Sequence, residues 1–258
     1  MLQSVLVILS TSYFAWYLEH FEMAMIYPFD ATYMTPDVSG EPRLKETRLK
    51  TEDNEELIVW RAPAAEGQPT LIYFPGNAGG LKDRVERFGD LLDRGYGLTA
   101  LAYRGSSGSS GQPNENLLIL DAKALALMEK DRPLILYGES LGTAVAIELA
   151  AAGIGDALVL EAPFTTLSQL VANQYPDEEL DHLLTQRWQS IELIPQVQQP
   201  LLVIHGTHDR IVPISMGLEI YQGAGSQEKQ FVEVNGRGHN GLWTPRVLDA
   251  LFVFVEAR

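Results

Sequence analysis

From Arg43 to the C-terminus the chain alternates short apolar runs with longer helix-patterned stretches, and this alternation constrains its fold more than any other feature. Leu44–Thr51 and Glu56–Ala62 read as two strands joined at Asp53-Asn54. Thr70–Phe74, Gly97–Tyr103, Leu134–Tyr137, Ala157–Leu160, Leu201–His205 and Gln230–Val234 read as further strands, most of them continuously apolar. Between them lie helical patterns at Leu81–Arg94, Asn116–Lys130, Leu141–Ala152 and Ile214–Tyr221, with Leu242–Val255 closing the chain. Strands interleaved with helices bury both sheet faces, so the pattern predicts an α/β fold with a mostly parallel, doubly wound sheet over 40–258. Phe164–Pro200 carries no strand pattern, only helix-like sequence around Leu167–Asn173 and Glu178–Ile191. It is too long for an ordinary loop. It is expected to form a small helical lid over 164–200, with Leu167, Leu170, Tyr175, Leu183, Leu184 and Trp188 available as acyl contacts or as packing.

The chemistry concentrates at turns after strands. Gly138-Glu139-Ser140-Leu141-Gly142 has the form G-x-S-x-G and stands between an apolar strand and an apolar helix. In that context the serine occupies a sharp turn and the glycines let strand and helix approach. An isolated serine hydroxyl is a weak nucleophile and needs a base. His239 follows the strand at Gln230–Val234, and Asp209 follows the strand at Leu201–His205. Ser140, Asp209 and His239 therefore sit on the rim where open α/β sheets bind ligands. They are expected to be nucleophile, orienting acid and general base. Glu161 also ends a strand and is a rival acid, while Asp30 and Asp156 are weaker ones. His205 and His208 flank Asp209, but no further histidine–carboxylate pattern completes a site, so no metal and no cofactor is expected. His20 and His182 have no chemical context.

A tetrahedral intermediate needs backbone N–H donors. Leu141, directly after the serine, is one expected donor. Asn77, in the small-residue loop Pro75-Gly76-Asn77-Ala78-Gly79-Gly80, is the other, with Ala78 as the weaker choice. That loop has neither the G-x-G-x-x-G pattern nor a P-loop lysine, so it does not read as a nucleotide site.

Charge and composition bound the partners. A formal charge of −15 disfavours phosphate backbones, so no nucleic-acid partner is expected. It also offers no attraction to anionic lipid. The chain has no cysteine, which excludes disulfides and thiolate catalysis. Leu2–Leu18 is uncharged and near the short end of bilayer-spanning length. Residues 1–30 are therefore expected to form an apolar membrane anchor, with the catalytic domain outside the cytoplasm; without such an anchor the protein would be cytoplasmic. No Lys or Arg precedes Arg43, so the positive-inside rule gives almost no orientation. The domain at 40–258 is expected to work without what precedes it.

Phe74–Ala78, the run Tyr103-Arg104-Gly105 with Gly108, Ser110 and Gly111, the elbow Gly138–Gly142, His205–Pro213 and Gly238-His239-Asn240 together resemble the α/β-hydrolase superfamily. They most resemble its small membrane-anchored branch, which includes protein depalmitoylases and uncharacterised bacterial hydrolases. The resemblance covers roughly 40–258. It implies a serine hydrolase that cleaves carboxylic esters or thioesters through an acyl-enzyme, with a small or lipid-like acyl substrate. Relatives carry histidine where this chain has Pro75, which leaves placement of the Asn77 loop to other contacts. A peptidase of the same fold and a non-catalytic binding module are the competing readings. Fold does not transmit substrate.

Overall fold

The computed structural model describes residues 20–129, 133–176, 182 and 184–258. Eight strands form one sheet: β1 (Lys45–Lys50), β2 (Glu56–Ala62), β3 (Thr70–Phe74), β4 (Gly97–Leu101), β5 (Leu134–Glu139), β6 (Ala157–Glu161), β7 (Leu201–Gly206) and β8 (Lys229–Val234). Their spatial order is β1-β2-β4-β3-β5-β6-β7-β8. β1 and β2 form an antiparallel hairpin, and β2 meets β4 antiparallel. All pairings from β4 through β8 are parallel.

The central strands read as unbroken apolar runs because both their faces are covered. One face packs under α2 (Glu115–Met128), α3 (Leu141–Ala151) and α6 (Ile214–Gly223), through Leu118, Val145 and Met216 among others. The other packs under α1 (Val85–Asp93) and α7 (Pro245–Glu256), through Phe88, Leu91 and Leu251. β1 lies on the edge and is mostly exposed. α7 starts three residues later than its periodicity suggests. Thr244 caps it and Pro245 opens its first turn, where a missing N–H costs nothing.

Two expectations are corrected. Helix-like sequence at Glu178–Ile191 does not give a helix over 184–189; from residue 184 on, helix resumes at α5 (Ser190–Leu193), after α4 (Leu167–Gln174). The reason lies in where the backbone donors go. Glu22 takes the N–H groups of Thr185 and Gln186 at 2.8 and 2.9 Å. Glu115 takes those of Arg187 and Trp188 at 2.6 and 2.9 Å. With its donors bound to distant carboxylates, the segment runs as an irregular strap, and Trp188 adopts a positive φ of 43°.

The packed body also begins earlier than residue 40. Residues 20–26 are helical, and Ile26 and Tyr27 join the core. Leu2–Leu18, read above as an anchor, lies outside the described residues. Among the described residues no helix is long and apolar enough to cross a membrane.

Candidate active site

Ser140 sits between the end of β5 and the first turn of α3 with φ 50° and ψ −113°, a strained conformation for a residue with a side chain. The strain is held on both sides. The Ser140 N–H donates to Glu161 O on β6 at 2.8 Å, and Thr143 N–H donates to Ser140 O at 2.9 Å. Glycine is required at two positions around it. A Cβ on Gly142 would collide with the Phe74 carbonyl oxygen, and one on Gly138 with the Gly142 carbonyl. The turn therefore lifts Ser140 above the sheet while α3 lies close against β3.

The loops after β7 and β8 bring Asp209 and His239 to this serine. His239 Nε2 lies 2.8 Å from Ser140 Oγ, and its Nδ1 lies 2.7 Å from Asp209 Oδ2. A proton on Nδ1, shared with the carboxylate, leaves Nε2 free to accept from the serine hydroxyl. Asp209 is fixed from its other oxygen, where Oδ1 accepts the N–H groups of Ile211 and Val212, each at 2.9 Å. Burial alone would raise the Asp209 carboxyl. Hydrogen bonds from His205 and His239 more than offset that, holding it well below the usual carboxylate range. It therefore stays ionised at neutral pH.

The rival groups are engaged elsewhere. Glu161 is held by Arg87 at 2.6 and 2.9 Å and by Tyr137 Oη at 2.5 Å. Asp30 pairs with Lys82 at 2.7 Å, and Asp156 accepts from Leu134 N–H at 2.7 Å. His205 is fully buried, and its Nε2 lies 2.9 Å from Val212 O and 3.5 Å from Asp209. It supports the acid, whereas His208 is exposed. Among the described residues no group of three or more His, Asp or Glu side chains is placed to hold a metal ion.

Ser140, His239, Leu141 and Asn77 all line a cavity of about 710 Å³. Its apolar lining includes Phe164, Leu167, Leu170, Val171 and Val212. Of the lid residues singled out in the sequence, Leu167, Leu170 and Tyr175 reach this cavity. Leu184 and Trp188 pack against the core instead, and Leu183 lies outside the described residues.

The cavity lining also includes Arg84, Arg87 and Glu139, a polar group that sequence reasoning missed. Arg84 grips Glu139 through Nε and Nη2, each at 3.0 Å, and Tyr73 Oη donates to the same carboxylate at 2.7 Å. Arg87 and Glu161 continue this network beside it. Burial pushes Glu139 up, but Arg84 and Arg87 override it and hold it at about 2. The available signal was two arginines three apart on a helix that follows the Gly-rich loop. Met25 and Ile26 also line the cavity, and neither carries a motif.

No family model matches the chain. An uncharacterized protein of Mycobacterium tuberculosis (strain H37Rv) is 37% identical over 216 residues, covering 81% of this chain and 75% of that protein. The α/β hydrolase domain-containing protein 17B of Xenopus laevis is 30% identical over 180 residues, covering 67% of this chain and 61% of that protein. The chain belongs to the α/β-hydrolase family.

This α/β-hydrolase is also similar to the lysophosphatidylserine lipase ABHD12 of Danio rerio. Those two are 32% identical over 177 residues, 59% of this chain and 46% of that lipase. Among solved structures it is similar to the Pyrococcus furiosus esterase Pf2001, with a TM-score of 0.72 at 19% identity. That match covers 90% of this α/β-hydrolase and 96% of the esterase.

Proposed function

We propose that this protein hydrolyses carboxylic esters or thioesters through an acyl-enzyme on Ser140. The observation that supports this reading is the single imidazole of His239 hydrogen-bonded at once to Ser140 Oγ and to a buried, ionised Asp209. His239 Nε2 takes the hydroxyl proton as Ser140 Oγ attacks the acyl carbonyl carbon. Negative charge moves onto the carbonyl oxygen, where the N–H groups of Leu141 and Asn77 receive it. The imidazolium then gives its proton to the departing alkoxide or thiolate. Water, deprotonated by the same nitrogen, attacks the acyl-enzyme. It releases the carboxylic acid and restores Ser140.

The apolar lining of the cavity suits an acyl chain, and the lipase among the similar proteins favours the same substrate class. The segment Leu2–Leu18 is the tether in this reading, holding the cavity beside a lipid surface.

Labelling with a fluorophosphonate followed by intact-mass measurement tests the mechanism. Wild-type protein gains one adduct, on Ser140, and hydrolyses p-nitrophenyl esters. Ser140→Ala gains none and loses turnover by a factor on the order of 10⁶. Turnover by Ser140→Ala near the wild-type rate rejects the proposal.

A further inference from the structure

The loop that carries Asn77 has little of its own to hold it. Three of the six residues from Pro75 to Gly80 are glycine, and glycine backbones lose the most freedom on being fixed. Its far end is held within the domain. Arg84 Nη1 donates to Gly80 O at 3.1 Å, and Leu81 N–H donates to Ser107 Oγ at 3.0 Å. Its middle is held from outside the domain first expected from the sequence. Asn77 Nδ2 donates to Ile26 O at 2.8 Å. Phe29 bridges Gly79, and Asp30 N–H donates to Gly79 O at 3.3 Å.

The bracing segment is itself firmly placed. Glu22, buried, accepts from Thr185 N–H, Thr185 Oγ1 and Gln186 N–H at 2.8, 2.6 and 2.9 Å. Tyr27 Oη donates to Gln186 Oε1 and accepts from Trp188 Nε1, both at 3.1 Å. Asp30 pairs with Lys82 and accepts Ser107 N–H through its carbonyl at 2.8 Å.

We propose that residues 22–30 are a positioning element of the active site, setting the Asn77 N–H where the oxyanion forms. The inference rests on the acyl-transfer reading above. Met25 and Ile26 line the cavity, and among the described residues no hydrogen bond joins residues 22–30 to Ser140, Asp209 or His239. Their effect passes through the Asn77 side chain and the Gly79 backbone to one N–H group.

The test uses the full chain and a short, soluble p-nitrophenyl ester. Asn77→Ala keeps its backbone N–H and removes only the brace to Ile26. Its kcat should fall by about 10- to 100-fold, part of the 10²–10³ that removing a whole oxyanion donor costs. KM should stay within about twofold, because the donor acts in the transition state. Glu22→Ala, remote from Ser140, should lower kcat in the same way. Glu22→Gln keeps an oxygen acceptor for both amides and should restore most of it.

Unchanged kcat in Asn77→Ala, or a loss carried by KM alone, overturns the inference. If Asn77→Ala does not fold, the Glu22 pair decides by the same criterion. Fluorophosphonate labelling separates the two proposals. A wild-type protein that takes no label loses the acyl-transfer reading and this inference together. A wild-type protein that labels while its variants keep kcat loses only the inference.

Discussion

At the residue scale, the carboxylate beside the nucleophile has a consequence for acid stability. Glu139 is held at about 2 against an ordinary value of 4.5. A depressed carboxylate contributes stability that is fully present above its unfolded value and is lost as pH falls through its folded value. The loss from Glu139 therefore falls between about 4.5 and 2. Thermal unfolding midpoints across that window should drop more steeply in wild type than in Glu139→Gln, which has no charge to lose. Equal slopes would mean that the Arg84 pairing is not felt in the fold. Ser140, Asp209 and His239 were legible in the sequence because each follows its own strand, in the order Ser, Asp, His. The partnership of Arg84 with Glu139 was not, since 55 residues separate them and only the fold brings the turn before α1 to the end of β5. In sequence His205 suggests only an incomplete metal pair with His208, from which no metal site is expected. Only its burial at the side of Asp209 makes it a support for the acid.

Among elements, the strands and helices of the sheet follow hydrophobic period and turn residues, which are local and so visible. Thr70–Phe74 and Glu56–Ala62 have the same bounds in sequence and in structure. The lid segment does not obey this logic. Its helical periodicity at 184–189 is overridden by Glu22 and Glu115, carboxylates that approach from distant parts of the chain. α4 does form, and Leu170 and Val171 on it line the cavity. Leu170→Trp should leave less room there for an acyl chain. A series of p-nitrophenyl esters of graded length should then show preference shifted to shorter chains by a few carbons. kcat/KM for acetate should remain within about threefold, because the pocket wall and not the elbow has changed. The same length profile in variant and wild type would place the acyl chain elsewhere.

For the whole molecule, net charge and the apolar N-terminal stretch act together. With −15 overall there is no electrostatic route onto anionic lipid, so membrane attachment through Leu2–Leu18 would be hydrophobic and insensitive to screening. Full-length protein should sediment with membranes and stay there through a high-salt wash. Its appearance in the wash supernatant would reject the tether. Removing everything before Arg43 should cost stability as well, because Ile26 and Tyr27 leave the core and Met25 and Ile26 leave the cavity wall. Contacts between Glu22 and the 185–186 backbone span 163 and 164 residues of chain. During synthesis at roughly 5–20 residues per second, the first-made wall of the cavity waits roughly 10–30 s for the strap that will hold it. Until that strap is made, Glu22 lacks the 185–186 N–H groups it accepts, and Tyr27 lacks Gln186 and Trp188 as hydrogen-bond partners. A nascent chain halted before Thr185 therefore carries the brace of the Asn77 loop without the contacts that fix it.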